Sequence, residues 1–183
     1  MTTQRRRRPP QSQRISDQWL QYVRASVTLS GANTFTQATI NLPVVVSQGF
    51  VLEAHIVEFS VPGIIVATDL GDTDDNTQLV VQLTKASQSA IIQIDNPDYI
   101  YGYNEEFLTP NARTAEQAPV LHHTLNGGLN WQFPEPILLP FEQIFLGANS
   151  AGVAVAPTFR CRIGYKTVRL STRQLPEMIQ AVT

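Results

Sequence analysis

With 183 residues, 43% of them hydrophobic and only 15% charged, the chain is long enough to bury one core and too apolar to be a disordered polyelectrolyte. No apolar run reaches the roughly 20 residues of a membrane span, and the N-terminus lacks the apolar stretch of a signal peptide. The single cysteine, Cys161, has no partner for an internal disulfide, which fits a chain made in a reducing compartment.

The net charge of −2 is the difference between two unlike parts. Residues 1 to 14, MTTQRRRRPPQSQR, carry Arg5, Arg6, Arg7, Arg8 and Arg14 and no acid, so this arm holds +5. That leaves eight cations against fifteen acids, or −7, for residues 15 to 183. The arm has no apolar side chain after Met1 and cannot offset the entropy of ordering, so it is expected to be disordered on its own. Its arginines repel one another, and a polyanion relieves that. Five phosphate contacts would give a log–log salt slope of roughly −3.5 on a single strand. A nuclear localisation signal and a passive solubility tail are the other readings of such a run.

Ile15 to Gly31 brings the chain into the fold through Trp19, Leu20, Tyr22 and Val23. Ala25 to Leu42 reads as two short strands around the turn Ser30, Gly31, Ala32, Asn33. Phe50 to Phe59 has apolar residues on both parities, which predicts a strand covered on both faces for part of its length, and Pro62 and Gly63 close it. Ile64 to Ala67 is read as a short strand. The loop from Asp69 to Asn76 sets four carboxylates close together, and Asp72 and Asp74 at alternate positions are what Ca²⁺ would want. The loop lacks the glycine and the terminal glutamate of an EF-hand, so a solvated turn is the simpler reading.

Thr77 to Thr84 and Ala90 to Ile94 are two more predicted strands. Tyr99, Tyr101 and Tyr103 surround Gly102 without a neighbouring Lys or Arg, which favours a subunit contact or core packing over base stacking. Asn104 to Pro119 reads as a long loop. His122 and His123 are adjacent on a predicted strand, so their side chains point to opposite faces and do not share a metal. A cupin-type site also needs an HxH pair and further ligands at spacings this chain lacks, so no enzyme is expected. Asn126 to Gly128 is a hairpin signal. Pro134, Pro136 and Pro140 confine pairing to ends and edges, Ile144 to Leu146 is the next apolar run, and Gly147 to Ala156 reads as a loop.

Pro157 to Leu170, PTFRCRIGYKTVRL, is the strongest strand signal in the chain. Phe159, Cys161, Ile163 and Tyr165 fall on one parity, and Arg160, Arg162, Gly164 and Lys166 on the other. Val168 and Leu170 continue the apolar set on the opposite phase, which predicts a bulge or twist near Lys166 to Val168. Beyond it, Leu175, Met178, Ile179 and Val182 sit at i, i+3, i+4 and i+7, predicting a short amphipathic helix over 175–182 that docks on its own sheet or on a second copy. The sum is an all-β chain of about eight strands plus one terminal helix. Its expected form is an antiparallel two-sheet sandwich with jelly-roll topology, a body of residues 15–183 behind an arm of residues 1–14.

The basic arm, the eight-strand body, FPEPILLPFEQIFLGANS from Phe133 to Ser150 and RIGYKTVRLSTRQLPEMIQA from Arg162 to Ala181 together resemble single-jelly-roll coat proteins of small icosahedral viruses, most of all those of circular single-stranded DNA viruses and related small RNA viruses. The resemblance implies a structural protein of the virion that assembles with itself, about sixty copies or a multiple closing a shell, in the host nucleus or cytoplasm and without a membrane. It implies an arm turned inward onto a single-stranded genome. Arg160, Arg162 and Lys166 would then face the lumen beside the arm or form an ordinary solvent face, and Tyr99, Tyr101, Tyr103, Leu175, Met178 and Ile179 are candidates for contacts between copies. The other reading is a non-viral sandwich that binds a sugar or a protein at the tyrosine cluster, for which the arginine arm has no use.

Overall fold

The computed structural model describes residues 19–61, 77–108, 122–126, 130–153, 155–171 and 174–182. Its organising strand is the expected one. Phe159, Cys161, Ile163 and Tyr165 are buried and Arg160 is exposed, so period-two alternation sets the strand β9, Thr158–Arg169, with one face on the core. The other strands are β1 (Gln21–Thr28), β2 (Thr36–Asn41), β3 (Phe50–Ser60), β4 (Thr77–Thr84), β5 (Tyr99–Leu108), β6 (His122–Asn126), β7 (Asn130–Leu139) and β8 (Gln143–Ala151), and the helix α1 is Gln174–Val182.

The strands form two sheets, ordered β1-β9-β3-β7 and β2-β8-β4-β5-β6. All neighbours are antiparallel: β1 pairs with β9, β2 with β8, β3 with β7 and β4 with β5. First pairs with last, second with next to last, and so inward, so the chain path is one long hairpin rolled onto itself. That nesting is the jelly roll. β6 lies outside it, added at the sheet edge beside β5 as a ninth strand. Between the sheets lie Leu52, Val57, Leu79, Val81, Leu83, Ile144, Leu146, Phe159 and Ile163, all essentially without exposure. Cys161 packs among them, and burial foremost pushes its thiol up to about 12, as for a small hydrophobe.

Several sequence expectations shift. The extra residue lies on β3, not near Lys166 to Val168: Ala54 pairs with Tyr165 and Ile56 with Gly164, leaving His55 bulged. Beside the bulge a Cβ on Gly164 would stand 3.0 Å from the Tyr22 ring and 3.4 Å from Ile56 Cβ, so a larger residue there requires these neighbours to give by a few tenths of an ångström. β5 runs on through Leu108, where a loop from Asn104 is expected, and β8 through Ala151, where a loop from Gly147 is expected. Ala90 to Ile94 is not a strand, because its partner is the side chain of Gln82 and not a backbone ladder. Gln82 Nε2 donates to Ala90 O (3.4 Å), and the Ile92 N–H donates to Gln82 Oε1 (3.1 Å). Ile64 to Ala67 lies outside the described residues.

β7 is the outer strand of its sheet, as its prolines require. It pairs with β3 at Ile137 to Leu139 and again at Asn130 to Gln132, and Phe133 to Pro136 leave the ladder between. Over the described residues the helix spans Gln174–Val182, and a capping box stands at its start: Gln174 N–H donates to Ser171 Oγ (3.2 Å), and Ser171 N–H donates back to Gln174 Oε1 (3.2 Å). No described helix is long and apolar enough to cross a membrane.

Candidate nucleic-acid interface

The outward face of the β1-β9-β3-β7 sheet is where the cationic parity of β9 emerges. In register across the sheet, Arg24 of β1 lies beside Arg162 of β9 and Glu58 of β3, and the next row is Ser26, Arg160, Ser60. Residues directly opposite on neighbouring strands share a face. These six side chains line one surface groove. Arg162 and Glu58 are its half-buried members. Arg162 Nε donates to Glu58 Oε2, and the Arg162 guanidinium lies 4.8 Å from the Tyr22 ring centroid. The bond from Arg162 holds the Glu58 carboxyl below its ordinary value, against the raising effect of its burial, and in return raises the guanidinium.

That shift fixes a sign. Glu58 titrates lower in the fold than in the unfolded chain, so the pair's contribution is present above about pH 4.5 and is lost as pH falls through the folded value. The advantage in urea midpoint of the wild type over Glu58→Gln is therefore expected to be constant above about pH 6 and to shrink between about pH 5 and pH 3. A difference that stays flat over that window would show that the pair contributes nothing to stability.

Lys166 stands further along the same face, opposite Glu53, which lies 3.4 Å from His55 Nε2. Arg160, Arg162 and Lys166 are thus brought onto one face as their parity implies, but in different settings: Arg162 is paired, Lys166 has a carboxylate across from it, and Arg160 is exposed. Arg24 lies ahead of the strand expected from Ala25: Tyr22, Arg24, Ser26 and Thr28 alternate with Val23, Ala25, Val27 and Leu29, a signal that starts earlier.

The tyrosines divide. Tyr103 is buried in the core, where burial and then Glu105 raise its phenol, so it takes the packing alternative and not the contact one. Tyr101 lies between the sheets, stacked on Phe59 (5.8 Å) and Trp131 (6.2 Å) and edge-on to Phe133 (5.7 Å). Tyr99 packs its hydroxyl over Gly102. Leu175 is half-buried and Ile179 exposed on α1, which also carries Met178. His122 and His123 are adjacent in β6, opposite Leu108 and Phe107. Arg5 to Arg8, Arg14, Asp72 and Asp74 lie outside the described residues.

No family model matches the chain, and no curated protein matches it. Among solved structures it is similar to a polyomavirus VP1. For VP1 of Trichodysplasia spinulosa-associated polyomavirus in complex with 3'-sialyllactose, identity is 12% over 84% of this chain and 97% of that one, with a TM-score of 0.37. The same VP1 with sialylated precision glycooligomers gives 12%, 84% and 96% with a TM-score of 0.34, and VP1 alone 12%, 82% and 96% with 0.32. No residue role is carried across from these proteins. The jelly roll stands on the nested strand pairing itself.

Proposed function

We propose that the chain is a coat protein: a jelly-roll subunit, residues 15–183, that assembles with copies of itself into a closed icosahedral shell and holds a single-stranded genome with its arm, residues 1–14. The observation that carries this reading is the division of charge, with +5 on an arm joined to a −7 body that is a rigid two-sheet roll. A self-repelling arm stays extended until phosphate neutralises it, while an acidic body avoids binding nucleic acid indiscriminately. In sequence the arm precedes β1, the strand that carries Arg24. Assembly into a virion needs no catalytic group; it needs a stiff body and homotypic contacts of closed symmetry.

Negative-stain microscopy of the purified protein, with absorbance at 260 and 280 nm at low and high salt, tests this. Closed uniform particles with a nucleic-acid excess are the expected result. Replacing Arg5, Arg6, Arg7 and Arg8 by Gln is expected to remove most of that excess while particles still form. A monomer or dimer at every salt and protein concentration would sink the proposal.

A further inference from the structure

On the outward face of β1, β9 and β3, charge is unevenly settled. Arg24 and Arg162 are directly opposite each other, a like-charge pair that costs stability unless something neutralises it. The one carboxylate in the groove, Glu58, is committed to Arg162, whose guanidinium is further occupied by the Tyr22 ring. Among the described residues, the Arg24 and Arg160 side chains meet no carboxylate, aromatic ring or hydrogen-bond acceptor, and the hydroxyls of Ser26 and Ser60 make no bond. One row on, by contrast, the Thr28 and Thr158 hydroxyls bond each other at 2.8 Å. Two guanidinium groups and two hydroxyls therefore converge on a groove in a body of net charge −7. A tetrahedral oxyanion satisfies that set: guanidinium forks match its oxygens, hydroxyls supply further donors, and its charge relieves the Arg24–Arg162 repulsion.

We propose that this groove binds a backbone phosphate of single-stranded nucleic acid, with Arg24 and Arg160 as the charged ligands and Ser26 and Ser60 as added donors. For its ligand it rests on the coat-protein reading, and it changes the residues that reading starts from. Arg162 is the spacer that Glu58 holds in place, Lys166 faces Glu53, and Arg24 takes the role that β9 alone does not supply. β1 carries Arg24 and is the first strand after the arm in sequence.

The test is fluorescence anisotropy of a labelled single-stranded oligothymidylate with unassembled full-length chains over a range of salt. Replacing both Arg24 and Arg160 by Gln is expected to weaken binding about tenfold at low salt and to reduce the magnitude of the log–log salt slope by roughly 1.4. Ser26→Ala with Ser60→Ala, which leaves charge untouched, is expected to weaken it about two- to threefold. Glu58→Gln frees Arg162 and is expected to tighten binding several-fold. Lys166→Gln is expected to stay within about twofold of wild type. The double arginine variant is expected to unfold at or above the wild-type temperature, since a like-charge pair is removed.

An unchanged affinity and slope in the double arginine variant would overturn the site, and so would an equal loss in Lys166→Gln, which would reduce the effect to net charge. Inorganic phosphate is expected to displace the oligonucleotide better than chloride of matched ionic strength, since the groove reads an oxyanion, and equal displacement by the two would overturn the phosphate as its ligand. The outcome is separable from assembly. Chains that form no particles but lose affinity and slope on double substitution keep the site and sink the shell, whereas particles with unchanged slope do the reverse.

Discussion

Phe159→Ala is expected to destabilise unassembled chains by about 3–5 kcal/mol, while Arg160→Ala, one residue along, changes stability by less than about 0.5 kcal/mol. The contrast follows from parity. Phe159 is 1% exposed on the core face of β9, opposite Val27 of β1, whereas Arg160 points out from the same strand. Truncating the ring removes its transfer energy and leaves a cavity that two sheets, each fixed by its own ladder, close only in part. Against a typical total of about 5–15 kcal/mol, that takes a large share of stability. The urea midpoint read from Trp fluorescence measures both variants, with the slope of the transition expected to stay constant. A loss below about 1 kcal/mol for Phe159→Ala would mean that the sheets are not closed over this end of β9.

What the sequence makes legible here is local. The alternation in β9, the run Thr77–Thr84 and the heptad-spaced Leu175, Met178, Ile179 and Val182 each state a period within a few residues, and the elements appear where those periods place them. Pairing is not local. Arg24 meets Arg162 across most of the chain, so nothing near either residue announces that they share a groove. Residues Gly147 to Ser150 show the same limit in a strand. Glycine, alanine, asparagine and serine carry turn signals, yet all four pair with β4, and Gly147 and Ala148 also pair with β2, Gly147 with Gln37 on one side and Gln82 on the other. Smallness is what the place demands. A Cβ on Gly147 would stand 3.0 Å from the Phe35 ring, and Ala148 is wholly buried. Burial between neighbours outweighed propensity, as it does in central strands. The candidate interface was half legible: β9 displayed Arg160 and Arg162, but their unequal availability depends on Glu58, placed by β3, and on Tyr22, placed by β1.

Gln82→Met is expected to uncouple the segment around Ile92 from the outer face of β4 while leaving the jelly roll folded. Gln82 sits on the parity opposite to Leu79, Val81 and Leu83 and so faces away from the core, yet it is 1% exposed, its amide bonded to Ala90 and Ile92. Its amide does for Ala90 and Ile92 what a neighbouring strand's backbone would do, accepting from the Ile92 N–H and donating to the Ala90 carbonyl. Met conserves length and apolar contact but offers neither bond. Two backbone groups then lose their partners, at a cost of about 1–3 kcal/mol each if they remain buried. The segment has a cheaper course, which is to open to water, so the global loss is expected to be limited to about 2 kcal/mol and the larger effect to be local. Hydrogen exchange resolves the two. The Ile92 amide is expected to exchange at least tenfold faster in Gln82→Met, with the core amides of β4 and β8 slowed or unchanged relative to the global shift, and Gln93→Ala, altering an exposed neighbour, is expected to leave Ile92 protected. Unaltered protection of Ile92 in Gln82→Met would show instead that the remaining ties, the Gln88 N–H to Gln37 Oε1 at 2.8 Å and the Thr84 hydroxyl to Ala86 O at 2.8 Å, suffice to hold the segment. In that case the buried amide would be a passenger of the packing and not its cause.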